Sequence, residues 1–190
     1  MKQAELIKKM SDDELRRQLL LSQSLFLIIS IVLSLFIPHL TIEKWLEMLV
    51  IDYQQLLLFG VCAAVFIVII ELFLYTLLPA RYFDDGGINE KVFKNQSVGN
   101  IVLICVVVAI SEEFLFRGVI QTTFGYVFAS SLFVIVHIRY LKKPVLLILV
   151  TIVSFFIGYI FEITSNLLVT ITFHFVVNFL LGLYIRLKLK

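Results

Sequence analysis

Cysteine and charge are both scarce in this chain. Only two cysteines stand in 190 residues, Cys62 and Cys105, and each lies inside an apolar run. Two isolated thiols build neither a zinc knuckle nor a disulfide framework, so both read as packing residues and say little about redox compartment. Charged residues make up 16% of the sequence, against roughly a quarter in soluble domains, and the formal net charge is +2. The basic residues are spread along the chain, with no arginine-rich or aromatic-interleaved tract, and nucleic acid is therefore not an expected partner. No internal repeat or low-complexity segment is evident. Nor does the N-terminus resemble a cleavable signal peptide, in which a short apolar core follows a few basic residues closely. Here the apolar run starts late, beyond Arg17, and stays long, so the first span reads as a retained anchor.

Apolar residues fill the space that charge leaves. They make up 61% of the chain, and the mean hydropathy is +1.02. These values predict an integral membrane protein of the all-α class, a polytopic transmembrane helical bundle. The length suffices for about six spans of ~20 residues, with no separate soluble domain. The expected spans run from Leu19 to near Ile37, Leu56 to near Leu78, Val98 to near Phe116, Tyr126 to Ile138, Pro144 to near Phe161, and Leu167 to near Leu187. Pro38, Pro79 and Pro144 all fall at span boundaries. The fourth span is short. Between the first two lies Thr41 to Gln55, where Trp45 and Tyr53 among charged residues suggest a loop or short helix at headgroup level. Arg81 to Ser97 is the longest polar connection and carries the turn signal Asp84-Asp85-Gly86-Gly87. The chain thus divides into an N-terminal segment (1–18), two leading spans with their loops (19–97) and a membrane core (98–190).

The Lys/Arg bias of the short loops sets the expected orientation. With six spans, the N-terminal tail, the Arg81/Lys91/Lys94 loop, the Arg139/Lys142/Lys143 loop and the Arg186/Lys188/Lys190 tail share one side, and the other has only Lys44. Both termini are accordingly expected in the cytoplasm.

Few ionisable groups remain at membrane depth, where charge is costly: Glu71, Glu112, Glu113, Arg117, His137 and His174, with Asn178 as a polar companion. Glu71 reads as a helix-contact or interfacial carboxyl, and Glu162 and Asn166 as loop residues. Glu113 and Arg117 stand four apart and share a helix face as an ion pair. Glu112 projects about 100° away from that pair and faces another part of the interior. Phe133 lies one turn before His137, and His174 and Asn178 stack on one face of the last helix. Each group alone is compatible with packing or inter-helix hydrogen bonding. Together, three helices deliver a carboxylate base, two imidazoles and an amide to the interior, a set suited to hydrolysis. Counting ~1.5 Å per residue puts Glu112 ~21 Å below Val98, and His174 ~10 Å in from the opposite side.

The ordered pieces Glu112-Glu113 with Arg117, Phe133 with His137, and His174 with Asn178 resemble the family of CAAX-protease and bacteriocin-processing membrane endopeptidases, the Abi or Rce1-like family. Phe116-Arg117-Gly118 and Glu162-Ile163-Thr164-Ser165-Asn166 also look like family usage. The resemblance spans roughly Val98 to Leu183, whereas the first two spans match nothing specific. It implies an intramembrane endopeptidase with Glu112 as general base, His137 holding the attacking water, and His174 and Asn178 donating to the oxyanion. Phe133 would wall the pocket, and Glu113 with Arg117 would be supporting. No cofactor is implied by that scheme. A rival scheme makes Glu112, His137 and His174 the three ligands of a catalytic zinc. No His-Glu-x-x-His spacing accompanies it. Implied partners are the lipid bilayer and a substrate that is a peptide precursor, a prenylated C-terminus or a membrane protein. The short chain looks most like bacterial plasma-membrane members, which makes a prenylated substrate the less expected one. The alternative reading is a non-catalytic membrane protein such as a bacteriocin-immunity factor. A transporter is more distant, since broken helices or repeated halves would be expected.

Overall fold

The computed structural model describes residues 10–188. Residues 1–9 and 189–190, including Lys8, Lys9 and Lys190 of the orientation argument, lie outside the described residues. Eight helices organise the rest: α1 (Asp12–Phe36), α2 (Ile42–Glu47), α3 (Tyr53–Leu77), α4 (Ile88–Phe93), α5 (Val98–Phe124), α6 (Tyr126–Val136), α7 (Pro144–Thr164) and α8 (Leu167–Lys188). No strand occurs among the described residues. Five helices are long and apolar enough to cross a membrane: α1, α3, α5, α7 and α8. The sixth expected span, α6, is an 11-residue apolar helix, which reaches only about half way through a bilayer at ~1.5 Å per residue. The protein is an all-α polytopic bundle, as its composition predicts.

Local chemistry explains where the helices begin and end. Ser11 and Glu14 form a reciprocal capping box, and Asp12, Asp13 and Glu14 occupy the first turn. These groups satisfy and complement the orphan N–H groups, so α1 starts well before its apolar run. Thr41, Asp52 and Ser97 cap α2, α3 and α5 through their side-chain oxygens. Pro79 forces Leu78 out of helical geometry and closes α3, while Pro144 takes the first position of α7, where its missing N–H costs nothing. Gly125, at φ +86°, makes the sharp reversal between α5 and α6. Ser165 takes the left-handed conformation at φ 49° in the tight turn between α7 and α8. Asn166 follows it and is a buried cap, not an exposed loop residue as its position suggests. Its Oδ1 accepts from Leu168 N–H at 3.0 Å, and its Nδ2 donates to Val50 O at 2.8 Å. Glu162 belongs to α7 and, although exposed, accepts a hydrogen bond from Gln121. Glu71 is buried in α3, and Cys105 is buried while Cys62 faces outward.

Tertiary contacts place the described parts of the basic segments at one end of the bundle. Asn95 donates to Asp12 at 3.1 Å, Arg139 and Lys143 pair with Asp85 and Asp84 at 3.8 Å, and Gly182 of α8 lies against the Phe93 ring. At the other end, Leu167 N–H donates to Met48 O, and Trp45 stacks on Phe114 at 5.0 Å. The segment between α1 and α3 is therefore docked on the bundle as well as exposing Ile42, Leu46 and Ile51. Small residues bring α6 and α7 close. Ser154 Oγ donates to Ser130 O at 2.9 Å, and a Cβ on Gly158 would come within 2.5 Å of Ser130 Oγ. Two stretches widen to π-helical turns, Leu56–Cys62 in α3 and Phe114–Gln121 in α5, a distortion common near functional sites. Replacing Asn166 with Ala removes both a helix cap and the tie to Val50. The expected loss is about 1–2 kcal/mol, read as a lower thermal unfolding midpoint in detergent.

Candidate active site

Charged and polar side chains from α1, α5, α6 and α8 meet near mid-depth. Counting back from the end that carries Gly125 at ~1.5 Å per residue, Gln23 and Glu112 lie ~18–20 Å in, and Asn178 ~17 Å. His137 terminates α6 at a similar depth, because that helix begins at the same end and is short. Helix lengths thus bring Gln23, Glu112, His137 and Asn178 to a similar depth, and His174, one turn nearer that end than Asn178, joins them through its contact with Glu113.

Arg117 anchors the group. Both it and Glu113 have no exposed surface, and Nε of Arg117 lies 3.3 Å from Oε2 of Glu113. Nη2 donates to Ser154 O at 3.1 Å. The guanidinium also covers the Phe133 ring at 4.8 Å, a cation–π contact. Pairing, a backbone carbonyl and an aromatic face together offset the desolvation of a charge that water cannot reach. Phe133 in turn touches Phe116 edge-on at 4.9 Å and stands between the two imidazoles, 4.6 Å from His137 and 6.1 Å from His174.

Glu113 does more than pair with Arg117. Its Oε1 lies 2.8 Å from Nδ1 of His174. A carboxylate accepts, so Nδ1 carries the proton and Nε2 is turned toward Glu112, whose Oε2 is 3.8 Å away. The same reasoning orients His137: Nδ1 lies 2.7 Å from Phe133 O, a carbonyl that can only accept. Its Nε2 is then the free lone pair. The His137 ring stacks on Tyr140 at 5.8 Å. Tyr140 OH is held by Arg139 at 2.7 Å, within a cluster that includes Asn89 and Asp85.

Glu112 is 7% exposed. Its Oε1 accepts from Nε2 of Gln23 at 3.2 Å. Gln23 is a site residue the sequence did not single out, although an amide between two serines in an apolar run was a visible signal. Asn178 lies one turn beyond His174, half-buried, and makes no hydrogen bond to a described residue. Its amide is thus not spent on packing. Among the described residues, no three His, Cys, Asp or Glu side chains are gathered closely enough to hold one metal ion. Glu112, His137 and His174 do not form a ligand set as they stand.

The model of one family, type II CAAX prenyl endopeptidase Rce1-like, matches residues 94–180, a range that contains Glu112, Glu113, Arg117, Phe133, His137, His174 and Asn178. The chain is also 38% identical over 135 residues to a Bacillus subtilis (strain 168) protein named uncharacterized protein YpbD, covering 71% of each chain. The chain belongs to the Rce1-like family. No solved structure matches it. Membership makes this Rce1-like protein an integral membrane protein of a family of CAAX-type proteases. The matched range begins after α4, so α1 and its Gln23 fall outside it.

Removing one partner of the buried pair leaves a charge without compensation. Glu113→Gln or Arg117→Ala should each cost about 3–5 kcal/mol, seen as reduced folded yield and a lower unfolding midpoint. Arg117→Met combined with Glu113→Gln should recover part of that loss.

Proposed function

We propose that this Rce1-like protein is an intramembrane endopeptidase that hydrolyses a peptide bond with water activated by Glu112. The observation that carries this reading is the division of labour between two adjacent carboxylates. Glu113 is committed to Arg117 and His174, while Oε2 of Glu112 has no hydrogen bond to a described residue.

The chemistry follows from the donors and acceptors available. The attacking water gives one hydrogen to Oε2 of Glu112 and rests the other on the lone pair of His137 Nε2. Its oxygen is then free to attack the scissile carbonyl carbon. With His174 protonated, the charges of Glu112, Glu113, Arg117 and His174 sum to zero, which suits a site shielded from water. When Glu112 takes the proton, the cluster gains one positive charge as the carbonyl oxygen gains one negative. His174 Nε2–H and the Asn178 amide are the donors for that oxyanion, and removing one such donor typically costs about 2.7–4 kcal/mol in kcat. Glu112 then returns its proton to the leaving amine. Phe133 shields the imidazoles and keeps the site dry. The substrate is a peptide precursor or a membrane-protein segment that reaches this depth. The bacterial plasma membrane, with both termini in the cytoplasm, is the setting that the one-sided distribution of basic segments supports.

Glu112→Gln should leave yield and unfolding midpoint near wild type and abolish cleavage of a peptide and membrane-protein pool read by mass spectrometry. A zinc chelator should leave wild-type cleavage intact. Cleavage lost on chelation would move the chemistry to a metal, and a Glu112→Gln variant that is altered only in stability would support a non-catalytic role.

A further inference from the structure

α1 turns few side chains inward. Leu15, Gln23 and Ser30 are buried, and Ser30 Oγ is satisfied within its own helix by Phe26 O at 2.8 Å. Gln23 is 6% exposed and makes the one side-chain hydrogen bond, among the described residues, from α1 to another membrane-crossing helix. Its recipient is Glu112, which has no other hydrogen-bond donor among the described residues. The other end of the amide, Oε1, is buried without a partner. A glutamine serving only to dock α1 would be expected to satisfy both ends, and an apolar residue beside Phe26 and Phe116 would dock it without burying an amide.

We propose that Gln23 is a positioning residue for the general base, a role supplied by α1 from outside the matched family range. Its Nε2–H occupies Oε1 of Glu112 and fixes the carboxylate rotamer. Oε2 is left as the basic oxygen, turned toward His174 Nε2. The first span is then part of the hydrolytic apparatus as well as a membrane anchor. This inference rests on the assignment of Glu112 as base, and it adds that the base is oriented by a different helix from the one that carries it.

The test uses the full-length protein in detergent or bicelles and a peptide that the wild type cleaves. Gln23→Met keeps the side-chain length and removes both ends of the amide. The unfolding midpoint should stay at or above that of the wild type, because an unpaired buried oxygen is lost with the donor. kcat should fall about 10- to 100-fold through misplacement of the base, while KM stays within about twofold. Gln23→Asn retains an amide but withdraws it from Glu112, and it should show the same loss of kcat. Ser30→Ala, on the same face of α1, should cleave at the wild-type rate. Wild-type kcat in a folded Gln23→Met or Gln23→Asn protein would overturn the inference, as would a loss that merely tracks a falling midpoint. Glu112→Gln in the same assay separates the two levels: if that variant is inactive while the Gln23 variants are unaffected, only this inference fails. Cleavage by Glu112→Gln would overturn both.

Discussion

A guanidinium with no exposed surface, in the middle of an apolar bundle, has to be neutralised and hydrogen-bonded on the spot. Arg117 is neutralised by Glu113 on its own helix, donates one hydrogen bond to Ser154 O of α7 and covers the Phe133 ring of α6, while its Nε and Nη1 make no hydrogen bond to a described residue. The same residues bound the site. Phe133 separates the imidazoles, Ser154 sets the α6–α7 contact, and Glu113 extends the cluster to His174 on α8. The cost of burying one cation is therefore spread over the contacts that fix the positions of the chemically useful groups.

Adjacent glutamates in one helix look redundant until their partners are compared. Glu113 has both oxygens committed, one to a guanidinium and one to an imidazole N–H. Glu112 has one oxygen held by an amide and the other 3.8 Å from His174 Nε2 with no hydrogen bond to a described residue. Burial is similar for the two, and so is chemistry; what differs is the number of strong partners. Glu113 is thereby a strut between α5 and α8.

Much of this was legible in the sequence. The all-helical class, the prolines at span ends and the Glu113–Arg117 pair follow from apolar run lengths and a 3.6-residue period, whereas the fourth expected span is too short to cross. What escaped has a common cause. Periodicity tells which residues share a face, but in near-uniformly apolar helices it does not tell which neighbour that face meets. Hence Glu113 was paired only within its helix, and its bond to His174 on α8 was not foreseen. Gln23 was passed over because an uncharged amide stands out less than a carboxylate in an apolar run. Asn166 read as exposed because the loop before α3, which folds back over it, offers no pattern linking Val50 to that turn. The π-helical stretch Phe114–Gln121 changes the phase of α5 just beyond the glutamates, an effect with no sequence marker.

The central claim is that Glu113 is a structural carboxylate shared between Arg117 and His174, which leaves Glu112 free for chemistry. A double-mutant cycle on unfolding free energy in bicelles, built from Glu113→Gln, His174→Gln and the pair, tests it most directly. The account predicts that the two changes couple by about 1 kcal/mol or more, whereas additivity within about 0.3–0.5 kcal/mol would contradict it.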